Sequence, residues 1–171
     1  MKIEESKIKE HSGTSFSVTK TDGISRLDFG NDKWIENRDH YSEILFGDCD
    51  NCTHMKTLYD NVSFDKILIG GLGLGLLPEY ARAVKNCSVI DVIENNQELI
   101  DYVDYLESPI NIIKGDALSY TPNKQYDLIL IDLWWEEEDI TQEIQDNIKN
   151  NYNSHLETGG KIILPVAEKE L

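Results

Sequence analysis

No apolar run in the sequence approaches the ~20 residues that a membrane-spanning helix needs. The first eleven residues, MKIEESKIKEH, are mostly charged or polar and lack the apolar core of a secretory signal. Both absences predict a cytoplasmic chain that does not engage a membrane. Basic residues are also scarce: 16 Lys and Arg stand against 32 Asp and Glu, for a net charge of −16. A surface of that sign repels a phosphate backbone, which argues against a nucleic-acid partner, and it attracts small cations. Solubility alone is the plainer use of the same acidity. Proline occurs four times and hydrophobic residues make up 40%, a balance that excludes a disordered chain. Three cysteines, Cys49, Cys52 and Cys87, are an odd number and argue against a disulfide framework. Cys49 and Cys52 have CxxC spacing, with His54 nearby. A structural zinc site needs four ligands, and no second pair exists, so no metal is expected.

The 171 residues suit one globular unit with one core. Residues 15–20 and 24–29 alternate around Thr21-Asp22-Gly23, the pattern of a β-hairpin. A turn at Gly30-Asn31-Asp32 leads to a short strand near 33–36, and 39–46 has helical spacing. From residue 65 the pattern changes. Apolar strands are predicted at 67–69, 88–93, 110–113, 127–132 and 161–166, with helices at 76–85, 96–106 and 140–151 and a turn at 155–160. Strands that alternate with helices imply an α/β fold with a parallel sheet and right-handed crossovers. The natural division is an extension over 1–60, with a hairpin and a helix, and a Rossmann-like domain over 61–171.

Four places carry chemistry. Gly70, Gly71, Gly73 and Gly75 follow a strand and open a helix. Glycines there permit a tight turn and close approach of a ligand to the backbone, and the helix start offers free N–H groups to an anion. The spacing is GxGxG; the third glycine of the dinucleotide pattern GxGxxG would fall at Leu76, which argues against NAD. Glu94 closes the second strand, where a carboxylate can accept both hydroxyls of a ribose. Asp116 and Ala117, after the third strand, offer an acceptor for the exocyclic amine of adenine and an N–H for a ring nitrogen; a plain Asp turn has the same spelling. Asp132 ends the fourth strand and is followed by Trp134 and Trp135. Ligands of open parallel sheets bind beyond the carboxyl ends of the strands, so these three would face the reacting centre. The run of acids that starts at Glu136 either draws in a cation or simply opens the next helix.

In this order the motifs resemble class I S-adenosylmethionine (SAM)-dependent methyltransferases, and within them the spermidine-synthase-like branch. Leu27-Asp28 followed by Tyr41-Ser42-Glu43-Ile44-Leu45 is similar to the LDG…YHEML region of aminopropyltransferases, so the resemblance extends over residues 15–166. It implies a Rossmann-like methyltransferase sheet, truncated after strand five and preceded by a β-hairpin. It implies SAM as cofactor, held by Gly70, Gly71, Gly73, Gly75, Glu94, Asp116 and Ala117. Asp132, Trp134 and Trp135 then take the catalytic positions, and Asp32, Tyr41 and Glu136 the substrate positions. There are departures. Aminopropyltransferases carry an Asp in the glycine loop, where this chain has Leu72 and Leu74 around Gly73, and a second strand-four Asp where it has Trp135. The expectation is therefore methyl transfer to a small molecule, one that the acidic surface would attract if it is cationic. The alternatives are an aminopropyltransferase that uses decarboxylated SAM, with Asp32 or Glu136 supplying the missing carboxylate, and a non-catalytic SAM-binding or partner-binding subunit. An exposed hairpin edge, together with a truncated sheet, suggests a homodimer.

Overall fold

The computed structural model describes residues 8–21, 24–30, 34–38, 62–83, 85–133, 139–164 and 169–171. The helix predicted at 39–46, the Cys49–Cys52 pair and the boundary near residue 60 lie outside these.

The first sheet is an antiparallel meander of β1 (His11–Ser12), β2 (Ser17–Thr21), β3 (Ile24–Asp28) and β4 (Trp34–Arg38). Strands β2 and β3 form the expected hairpin, and Val18 opposite Leu27 supplies its buried face. Strand β1 is too short to show a period in the sequence. Both hairpin edges, one of the two grounds for expecting a homodimer, are paired, one with β1 and the other with β4.

The second sheet contains β5 (Lys66–Gly70), β6 (Val89–Glu94), β7 (Ile110–Lys114), β8 (Tyr126–Ile131), β9 (Leu156–Leu164) and β10 (Lys169–Glu170), in the order β10-β9-β8-β5-β6-β7. Strands β5 to β9 are parallel, and β10 lies antiparallel on β9. Its helices are α1 (Leu76–Ala83), α2 (Gln97–Tyr102) and α3 (Gln142–Tyr152). Successive side chains of a strand point to opposite faces, and the apolar runs here feed two cores. Ile67, Ile69, Ile90, Val92, Leu128 and Leu130 pack on one face with Tyr80 of α1, Leu99 of α2 and Phe16, Val18 and Leu27 of the meander. Leu68, Ile93, Ile129 and Ile131 pack on the other with Ile148 and Tyr152 of α3. Asp91 is buried on the same face as Leu68 and Ile93. Burial works to raise its pKa, but hydrogen bonds from Lys124, Asn111 and Tyr126 outweigh it and hold the carboxyl below its usual value.

Three expectations change. Residues 155–160 are not a simple turn: β9 begins at Leu156 and passes Gly159 and Gly160 inside the strand, with a register shift against β8 between Tyr126 and Leu128. A glycine pair spells a turn, but next to a partner strand it forms a bulge. Beyond the five parallel strands expected, two-residue β10 adds an antiparallel edge. Helix α2 ends at Tyr102 rather than 106. Beyond it the chain turns back toward the glycine loop, where the Tyr105 hydroxyl donates to the Leu74 carbonyl at 2.9 Å.

Candidate functional site

The chain builds β5, β6 and β7 outward in one direction and then returns to lay β8 and β9 on the other side of β5. The carboxyl ends of β5 and β8 therefore lie side by side at the point where the strand order reverses, the place where open α/β sheets bind ligands. Gly70 pairs with Ile131, and the Asp132 N–H donates to the Gly70 carbonyl at 2.8 Å. The structure thus brings Gly70, Gly71, Gly73, Gly75, Glu94, Asp116, Ala117 and Asp132 to one edge of the sheet. Trp134, Trp135, Glu136, Asp32 and Tyr41 lie outside the described residues.

The glycine loop is shaped by its neighbours. Gly71 has φ +102, and a Cβ there would overlap the Asp132 carbonyl oxygen. A Cβ at Gly70 would sit 2.9 Å from the Ala117 Cβ, so the Gly-Asp-Ala segment packs directly beneath the loop. Gly73 differs: its φ is +52, and nothing lies within 4 Å of a Cβ built there. That is open space for a ligand over the backbone. The Gly73 and Leu74 N–H groups have no hydrogen-bond partner among the described residues. Leu72 and Leu74, which replace the polar loop of the aminopropyltransferases, point down into the hydrophobic core.

Glu94 does more than end a strand. Its Oε2 accepts the Leu72 N–H at 3.1 Å and its Oε1 accepts the Asn96 N–H at 2.7 Å. The carboxylate is therefore not free, as a strand-end acid facing only a ribose would be. An ionised carboxylate has about four lone-pair sites, so both oxygens retain room for hydroxyl donors. The sequence reading missed this tether, although Asn96, the cap residue of α2, was a visible signal. Asp116 holds its own turn, with Oδ1 accepting the Leu118 N–H at 2.9 Å; its other oxygen has no partner among the described residues. Helix α3 supports this segment from behind, where the Tyr152 hydroxyl donates to the Ala117 carbonyl and the Asn147 amide to that of Leu118 at 3.2 Å.

Asp132 reaches solvent, yet protein surrounds it closely enough that desolvation pushes its carboxyl up to about 6. At that pKa it titrates where a general base is useful.

No family model and no curated protein matches the chain. Solved structures do. The glycopeptide N-methyltransferase MtfA superposes with a TM-score of 0.51 at 16% identity, covering 70% of this chain and 54% of its own. An S-adenosylmethionine-dependent methyltransferase from Clostridium acetobutylicum gives 0.52 at 20%, covering 72% and 53%. The plantazolicin methyltransferase BpumL, solved with SAH, gives 0.51 at 21%, covering 67% and 43%. The chain spans about half the length of these structures, and what it shares with them is the α/β, Rossmann-like fold.

Proposed function

We propose that the chain is a SAM-dependent methyltransferase acting on a small, cationic acceptor. The observation that carries this is the bond from the Leu72 N–H to Glu94, which joins the glycine loop and the ribose acceptor into one preorganised unit beside the open space over Gly73. Glu94 accepts the ribose hydroxyls, Asp116 the adenine amine, and the free N–H groups of the loop a carboxylate. The solved neighbours named as methyltransferases support the same cofactor. When bound, it supplies an electrophilic methyl group on a sulfonium. The residues then need only align the acceptor and remove its proton, which is catalysis by proximity with base assistance. Asp132 is the base, and the acidic surface draws in the acceptor.

The aminopropyltransferase reading gains less from the structure. Leu27 is a buried core residue, and Asp28 accepts the Gly30 N–H at 2.8 Å and pairs with Arg26 at 3.3 Å, so the hairpin itself accounts for this part of the likeness. Calorimetry with S-adenosylhomocysteine (SAH), SAM, decarboxylated SAM and NAD tests the proposal. SAH and SAM should bind, decarboxylated SAM at least tenfold more weakly, and NAD not detectably. Tighter binding of decarboxylated SAM, with methylthioadenosine formed from putrescine, would favour aminopropyl transfer. Comparable NAD binding would reject the cofactor.

The base role has a pH signature. Methyl transfer should rise as pH increases through about 6 and then level, because Asp132 must be ionised. Asp132→Asn should lose most of the rate and all of this step. The stability effect runs in the opposite direction. A carboxyl raised from its unfolded value of about 3.9 favours the neutral form, so its contribution is intact below that value and is lost as pH rises through about 6. Asp132→Asn should therefore raise Tm slightly at pH 7.5 and leave it unchanged at pH 3.5. An unaltered pH–rate profile in the variant would place the base elsewhere.

A further inference from the structure

Glu98, in the first turn of α2, reaches the N-terminal segment. Its carboxylate receives a complete set of donors from one turn of chain more than 80 positions earlier. Oε1 accepts the Thr14 N–H at 2.9 Å and contacts the His11 Nε2 at 3.2 Å. Oε2 accepts the Thr14 hydroxyl at 2.8 Å, the Ser15 N–H at 3.1 Å and the Ser15 hydroxyl at 2.8 Å. The Ser15 hydroxyl also accepts from the Asn96 amide at 2.9 Å. The turn is closed by the Gly13 N–H on the Phe16 carbonyl at 3.0 Å, and a Cβ at Gly13 would overlap the Glu98 carboxylate itself. The turn is built around this side chain. The hydroxyls of Thr14 and Ser15 hold the Glu98 carboxyl down to about 2, so it stays ionised at any working pH.

The five residues from Glu94 to Glu98 thus carry two tethers. At one end Glu94 binds the Leu72 and Asn96 N–H groups; at the other Glu98 and Asn96 bind the Gly13–Phe16 turn. Phe16, which closes that turn, and Val18 beyond it enter the same hydrophobic cluster as Leu72 and Leu74 of the glycine loop. The meander is therefore connected to the loop twice, through polar groups at Glu98 and through packing at Phe16. We propose that Glu98 is a positioning residue for the cofactor site: it clamps the N-terminal meander against the Glu94–Glu98 segment and so holds the glycine loop and Glu94 in their ligand-ready geometry. The proposal rests on the methyltransferase reading only for the identity of the ligand.

Two measurements on Glu98→Gln separate the two ideas. The first needs no ligand: amide hydrogen exchange in the free protein. The glutamine amide places a donor against the Thr14 or Ser15 donors and opens the clamp. Exchange should accelerate at least tenfold at the bonded amides of Gly71, Leu72 and Asn96 as well as at residues 11–16, with β8 unaffected. Acceleration confined to 11–16 would overturn the proposal, because Glu98 would then hold only its own turn. The second is SAH calorimetry, in which the affinity should fall about tenfold; equal affinity in a variant with an opened clamp would also overturn it. Should the wild type bind no SAH, the methyltransferase reading fails, and the exchange data still decide the clamp. If Glu98→Gln does not fold, the double variant Thr14→Ala/Ser15→Ala removes two hydroxyl donors and spares the carboxylate; it should show the same pattern, and unchanged exchange at Gly71 and Leu72 would reject the proposal.

Discussion

Gly71→Ala should abolish ligand binding and remove a large share of the protein's stability. Two costs coincide there. The backbone has φ +102, which an alanine reaches only with strain, and the new Cβ would overlap the Asp132 carbonyl oxygen. That oxygen cannot easily withdraw, because Asp132 is fastened to the end of β5 by its N–H on the Gly70 carbonyl. A left-handed backbone costs a non-glycine residue roughly 1–2 kcal/mol and forced overpacking about 1–3 kcal/mol. Together these approach a third of a typical folding free energy of about 5–15 kcal/mol. Gly73→Ala is the control. Its φ of +52 is left-handed but accessible, and its Cβ meets nothing within 4 Å. It should cost only about 1 kcal/mol of stability while placing a methyl group in the ligand's space. Thermal unfolding and SAH calorimetry on both variants give the comparison. A Gly71→Ala protein that melts with the wild type would mean that the loop is not packed as described; a Gly73→Ala protein with undiminished affinity would move the ligand elsewhere.

Glu94→Ala should weaken SAH binding by about a hundredfold in a protein that remains folded. The carboxylate serves two purposes, and the alanine loses both. It removes the acceptor for the ribose hydroxyls, where hydrogen bonds to a charged group are worth about 1.5–3 kcal/mol each. It also frees the Leu72 and Asn96 N–H groups that now hold the loop and the start of α2. Glu94→Gln separates these contributions, since its one remaining oxygen can accept at only one end. It should bind with intermediate affinity. Calorimetry on the two variants decides the matter, and wild-type affinity in a folded Glu94→Ala protein would assign Glu94 to loop structure alone.

Much of this site is written locally. The glycine spacing after an apolar strand, a carboxylate closing the next strand, Gly115-Asp116-Ala117 after the third and Asp132 after the fourth are all readable, because strand period and turn chemistry act over a few residues. The order of these elements is enough for an α/β, Rossmann-like sheet with its ligand edge at the strands' carboxyl ends. What the tertiary structure alone decided depends on partners remote in sequence. Strands β1 and β10 have two residues each and exist only through their pairing. Residues 156–160 become a bulged strand because β8 lies beside them, against the turn that their glycines spell. Glu94 is a loop tether only because Leu72 is folded back onto it, and Glu98 is a clamp only because Thr14 and Ser15 are brought to it. Desolvation by residues brought near it pushes the Asp132 carboxyl up to about 6. A hydrogen bond or a desolvated carboxyl formed across the fold leaves no period in the chain, so only the assembled structure shows which acids are ligand acceptors and which hold the protein together.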